Sequence, residues 1–187
     1  MELIPLKIDG AFRITLAPHR DDRGFLARTY DRDILAGYGL VTRWIQETHS
    51  FSKKRGTLRG LHFQCSPYTE TKLVRVAQGR AFMVLVDMRA GSPTFGLWDS
   101  VELSIEAPEL LYAPKGMAMG MYTLTDDCSL LYKMDTPYHR ESSRTIHWKD
   151  PDLNISWPIN GPLIISDKDL AAPSFKDYLA KEGAVTV

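Results

Sequence analysis

Lys72–Asp87 reads KLVRVAQGRAFMVLVD, and the way it divides decides the fold. Two strand-like runs, Lys72–Val76 (KLVRV) and Ala81–Asp87 (AFMVLVD), flank a turn at Ala77–Arg80 (AQGR). Each run is too short for a buried helix and is rich in β-branched residues. The pattern repeats outward at Ser100–Ile105 (SVELSI), Leu110–Ala113 (LLYA) and Ser129–Met134 (SLLYKM), with turns at Ala90–Gly96 (AGSPTFG) and Pro114–Gly116 (PKG). Helix signals are few. Asp31 stands as a cap before a short helix over Asp31–Tyr38, and Ser174 caps another after Pro173, with Phe175, Tyr178 and Leu179 on one face. Many short strands with tight turns predict an all-β jelly roll or closed antiparallel barrel with a few short helices. Such barrels hold ligands inside, lined by alternate residues of each strand.

The bulk of the chain sets limits on partners. At 187 residues it fits one domain over 1–187, with the segment from about residue 160 expected to pack on the barrel. Lys plus Arg equal Asp plus Glu at 23 each, so no net field draws the protein to nucleic acid or membrane, and a bound anion needs a local cluster of cations. The N-terminus MELIPLKIDG lacks an apolar signal core, and no run approaches the ~18 residues of a spanning helix. Cys65 and Cys128 are too few and too far apart for a disulfide framework. These features predict a cytoplasmic protein with reduced thiols.

Candidate chemistry centres on Thr57–Gln64 (TLRGLHFQ). A lone strand histidine such as His62 is commonly an ordinary core or surface residue. Arg59 three positions earlier and Lys72 ten later change that reading, because two cations and an imidazole at one barrel mouth repel unless an anion or enolate uses them. Gly60 between them marks a bulge that turns both Arg59 and His62 inward. Tyr132, within Leu130–Lys133 (LLYK), is either a barrel-filling aromatic or an acid; Asp169, within Ser166–Pro173 (SDKDLAAP), is either a cap or a partner for a base. Lys72 alone has the pattern of a solvated edge-strand charge. Metal-binding barrels place paired histidines one residue apart and another after a Pro-x-Gly turn. Here Phe63 and Gln64 follow His62, Met119 stands after Pro114–Gly116, and a thioether is a poor ligand for hard divalent ions. The remaining histidines, His19, His49, His139 and His147, show no ligand spacing, so the expectation is no metal and no cofactor.

Taken together, Asp22–Phe25 (DRGF), Gln46–Ser50 (QETHS), Leu58–Gln64 (LRGLHFQ), Lys72–Arg75 (KLVR), Val86–Gly96 (VDMRAGSPTFG), Leu131–Lys133 (LYK), Asp150–Leu153 (DPDL), Trp157-Pro158 and Ser166–Pro173 resemble the dTDP-4-dehydrorhamnose 3,5-epimerase family, from about residue 5 to about residue 175. The resemblance implies a cupin-type jelly roll and a homodimer in which the N-terminal strand of one subunit completes its neighbour's site. It implies an epimerase that exchanges protons beside the ketone of a nucleotide-diphospho-4-keto-6-deoxyhexose at C3, C5 or both, in deoxysugar biosynthesis. By the same resemblance His62 is the base, Asp169 orients it, Lys72 stabilises the enolate oxygen and Tyr132 returns a proton from the other face. Arg59 and Arg23 bind the diphosphate, Phe25 and Gln46 line the nucleotide pocket, and Tyr138 lies near the ligand.

Two positions depart from the family pattern. Where relatives carry a sugar-facing His this chain has Met119, and where they usually carry Glu it has Arg28. A carboxylate suits the ring N–H of thymine, whereas a guanidinium suits the acceptor of cytosine or guanine. The pair predicts a CDP-linked 3,6-dideoxy-4-ketohexose as one substrate, inverted at C5 alone. The alternatives are a sugar-nucleotide 3,4-ketoisomerase and a non-catalytic sugar-nucleotide-binding cupin.

Overall fold

The computed structural model describes residues 1–187, and its strands lie in two antiparallel sheets. The larger runs, in hydrogen-bonded order, β1 (Glu2–Pro5), β2 (Phe12–Thr15), β10 (Glu109–Ala113), β7 (Lys72–Gln78), β12 (Cys128–Met134) and β5 (Gln46–Ser52). The smaller runs β13 (Ser143–Thr145), β6 (Leu58–Gln64), β11 (Met117–Thr123), β8 (Arg80–Asp87) and β9 (Trp98–Ser104). A separate hairpin joins β3 (His19–Asp21) to β4 (Gly24–Leu26). The five runs read from the sequence all lie in strands. The turn at Ala77–Arg80 closes no hairpin, however: β7 pairs with β10 and β12, β8 with β11 and β9. The corner carries the chain from one sheet to the other, as a jelly roll requires.

The space between the sheets is the main core. Val74, Val76, Leu111 and Leu130 from the larger sheet meet Met83, Leu85, Val101 and Met121 from the smaller. The smaller sheet is covered on its outer face too, where Val84 and Val86 join Leu61, Phe63, Ile146, Leu153 and Tyr178. That double burial explains why β8 is apolar along its length instead of alternating.

Both outer covers include short capped helices. Asp31 accepts from the amides of Asp33 and Ile34 to start α1 (Arg32–Gly37), and Leu35 on it packs with Ile14, Leu73, Leu110 and Tyr112 of the larger sheet. Ser166 caps α2 (Asp167–Leu170) and Ser174 caps α3 (Phe175–Glu182), whose Phe175, Tyr178 and Leu179 face the smaller sheet. The C-terminal segment thus lies against the barrel wall that carries His62. No helix is long and apolar enough to cross a membrane.

Candidate active site

Along a regular strand, residues three apart point to opposite faces, yet Arg59 and His62 both face the interior. The pairing of β6 with β11 shows how. His62 lies opposite Met119 and Arg59 opposite Met121, so three steps on β6 match two on β11. The extra residue is a bulge at Gly60-Leu61, as expected from Gly60. Leu61 and Phe63 keep to the outer cluster. Gly60 has φ +122, and a Cβ there would sit 2.6 Å from Gly120 Cα and 2.7 Å from Met119 O. Only glycine fits that backbone and that gap.

The bulge presents His62 to α2. His62 Nε2 lies 2.6 Å from Asp169 Oδ1, and Asp169 is 3% exposed. A carboxylate only accepts, so Nε2 donates and the neutral ring keeps its lone pair on Nδ1. Asp169 is not the cap of α2; that is Ser166, whose Oγ accepts from the Asp169 amide. Burial pushes the Asp169 carboxyl up, but the hydrogen bond and charge of His62, the Gly60 amide and the Ser166 hydroxyl together hold it below the usual value. It is therefore an ionised partner, suited to orient the imidazole and to stabilise an imidazolium.

Across the barrel stand Lys72 and Tyr132, on neighbouring strands of the larger sheet. Lys72 is no edge-strand charge: β7 is flanked by β10 and β12, and the residue is 8% exposed. Its Nζ lies 2.7 Å from Glu70 Oε1. Burial raises the Tyr132 hydroxyl above its ordinary value, against the hydrogen bond from Thr48 and the charge of Arg59, so it remains a proton donor at neutral pH. Two chambers share His62, Lys72 and Tyr132 as walls. The inner, of about 100 Å³, adds Arg59, Ser50, Met83, Met119, Met121 and Leu130. The outer, of about 440 Å³, adds Gln46, Glu70, Tyr138 and Lys168. A base, an acid and a cation thus surround a space of ligand size.

The other expected residues divide between this site and elsewhere. Met119 does face the inner chamber. Arg59 makes only long contacts, to Ser52 Oγ at 3.5 Å and Phe51 O at 3.4 Å, which leaves its fork free. Gln46 Oε1 accepts from the Tyr138 amide at 2.6 Å, tying the two together at the outer rim. Arg23, Phe25 and Arg28 line neither chamber. Arg23 pairs with Asp21 at 2.6 Å, Arg28 with Asp31 at 2.8 Å, and Phe25 lies under Arg20 on the β3–β4 hairpin. Glu70, Ser50 and Lys168 were not singled out from the sequence. Glu70 stands two residues before Lys72, outside β7, and its contact with that residue is what gives it meaning.

The chain as a whole is similar to known proteins. A family profile described as dTDP-4-dehydrorhamnose 3,5-epimerase matches residues 5–177. The dTDP-4-dehydrorhamnose 3,5-epimerase of Shigella flexneri is 41% identical over 158 residues, covering 84% of this chain and 86% of its own. The crystal structure of dTDP-6-deoxy-D-glucose-3,5-epimerase from Legionella pneumophila, in complex with dTDP-4-keto-L-rhamnose, matches at TM-score 0.93 and 38% identity over 100% of this chain and 98% of that one. A 3'-monoepimerase from Streptomyces bikiniensis, in complex with dTDP-quinovose, matches at TM-score 0.91 and 31% identity over 97% and 92%.

Proposed function

The chain belongs to the dTDP-4-dehydrorhamnose 3,5-epimerase family, and from that membership we propose that it inverts C3, C5 or both of a nucleotide-diphospho-4-keto-6-deoxyhexose through an enolate. The observation that carries the reading is the His62–Asp169 dyad on one sheet facing Tyr132 and Lys72 on the other. His62 Nδ1 takes the proton from the carbon beside the ketone. The C–H electron pair becomes the enolate double bond, and the ketone oxygen gains the charge that the Lys72 ammonium stabilises. Tyr132 then protonates the same carbon from the opposite face, and both groups re-equilibrate with solvent. Arg59, at the inner wall, takes the diphosphate.

Met119 favours one finer reading. Met119 stands beside His62 on the neighbouring strand, and with Met83, Met121 and Leu130 it supplies the apolar part of the inner chamber's wall. That wall accepts a carbon without a hydroxyl more readily than one with it, which supports inversion at C5 of a sugar lacking the 3-hydroxyl. The base of the nucleotide is a separate question, because Arg28 is engaged by Asp31 outside the chambers. The β3–β4 hairpin, with Arg23 and Phe25 exposed on it and Arg28 exposed just after it, suits a role in a homodimer, where it would reach a neighbour's cleft. The free thiols of Cys65 and Cys128 fit a cytoplasmic enzyme.

Incubation of dTDP-linked and CDP-linked 4-keto-6-deoxy sugars in deuterated water, read by mass and NMR, tests the reading. Deuterium at C3 or C5 with inversion is the expected result, undiminished by exhaustive chelation. Tight binding without exchange points to a carrier instead, and movement of the ketone to C3 points to an isomerase. Mixing His62→Ala chains with Arg23→Ala chains tests the dimer: restored activity is expected if each hairpin serves the neighbouring subunit.

A further inference from the structure

The inner and outer chambers hold Arg59 and His62 from β6, Lys72 from β7, Tyr132 from β12, Lys168 from α2, and Glu70 and Tyr138 from loops; Asp169 stands behind His62. Among these walls Glu70 is the only carboxylate free of His62. It lies two residues before Lys72, its Oε1 is 2.7 Å from Lys72 Nζ, and the side chains are 6% and 10% exposed. Its second oxygen, Oε2, is buried without a partner.

We propose that Glu70 is the positioning residue for Lys72, fixing the ammonium on one side so that its remaining N–H donors point at the ketone oxygen. The inference rests on Lys72 acting as the enolate-stabilising cation. A buried ion pair seldom contributes more stability than an apolar pair of the same size, and an orphaned carboxylate oxygen costs more still. Stability therefore does not explain the arrangement. Positioning does. An ammonium with a flexible four-carbon stem has many rotamers, and Arg59 shares the inner chamber with it as a second cation. Without Glu70 the ammonium loses the anion that holds it in place.

The experiment measures kcat and KM across pH on dTDP-4-keto-6-deoxyglucose, with deuterium exchange as a parallel readout, for wild type, Glu70→Gln, Lys72→Met and the double variant. Glu70→Gln keeps an acceptor and removes the charge. It is expected to lower kcat at least about tenfold, with the loss of a whole oxyanion donor, on the order of 10²–10³, as the limit. KM should stay within about threefold. Adding Glu70→Gln to Lys72→Met should cost nothing further, because Glu70 acts through Lys72. If Glu70→Gln alone does not fold, the double variant, which removes both charges, is compared with Lys72→Met by exchange rate. Wild-type kcat in Glu70→Gln, or an equal loss in both backgrounds, overturns the inference. An inactive wild type overturns the proposed reaction as well, and so is told apart.

Discussion

At His62 the chemistry turns on which nitrogen keeps its proton. Nε2–H is given to Asp169, so the lone pair on Nδ1 is available to a substrate. His62→Ala is expected to abolish deuterium washout, and Asp169→Asn to cut it by roughly 10²–10⁴, while nucleotide binding measured by titration survives in both. Asp169 also links stability to pH. Its folded carboxyl sits below the unfolded value of 3.8, so the folded state binds that proton less tightly. The stabilisation is present above the unfolded value and is lost as pH falls through the folded one. The gap in urea stability between wild type and Asp169→Asn should therefore narrow below about pH 4. Tyr132 is shifted upward. Tyr132→Phe should keep washout by His62 on one face and lose net inversion, and NMR of recovered substrate separates the two. An unchanged inversion rate would leave Tyr132 as packing. The residue types at these positions were legible in the sequence. Glu70 escaped because its meaning lies in a contact with Lys72, not in its own surroundings along the chain.

Between residue and fold, the element that matters is the bulge in β6. Without it, Arg59 and His62 would face opposite sides of the sheet. Gly60→Ala puts a Cβ at 2.6 Å from Gly120 Cα and 2.7 Å from Met119 O, on a backbone with φ +122, and the close neighbours are main chain that cannot swing aside. About 1–3 kcal/mol of backbone strain is expected, with overpacking added to it. Thermal melting should fall accordingly, and exchange activity should fall further than nucleotide binding, because His62 turns while the outer rim does not. A Gly60→Ala enzyme with wild-type melting and turnover would remove the bulge from this account. The bulge and the strands were readable from alternation and glycine placement. The path from β7 to β8 was not, since a four-residue turn looks alike whether it closes a hairpin or turns a corner between sheets. Nor could spacing place the β3–β4 hairpin relative to the chambers, because Arg23, Phe25 and Arg28 contact near neighbours, Asp21, Arg20 and Asp31, and the tie to a distant segment runs from Arg20 to the Glu106 carbonyl.

On the scale of the whole molecule, the site is made by layers. The outer layer formed by Leu153, Tyr178 and their neighbours presses on the same wall from which His62 projects inward. Tyr178, 4% exposed, meets Phe63 edge to face at 5.3 Å. Tyr178→Ala is expected to cost roughly 3 kcal/mol and to lower the temperature at which activity is lost, read by calorimetry beside an activity–temperature curve. A melting point unchanged within a degree would mean that α3 does not brace the wall. Chain order gives this layering a further consequence. Every strand ends by Thr145, whereas Asp169 comes after all of them. Translation runs from the N-terminus, so a nascent chain can assemble the barrel, His62 included, while the dyad's carboxylate is still inside the ribosome.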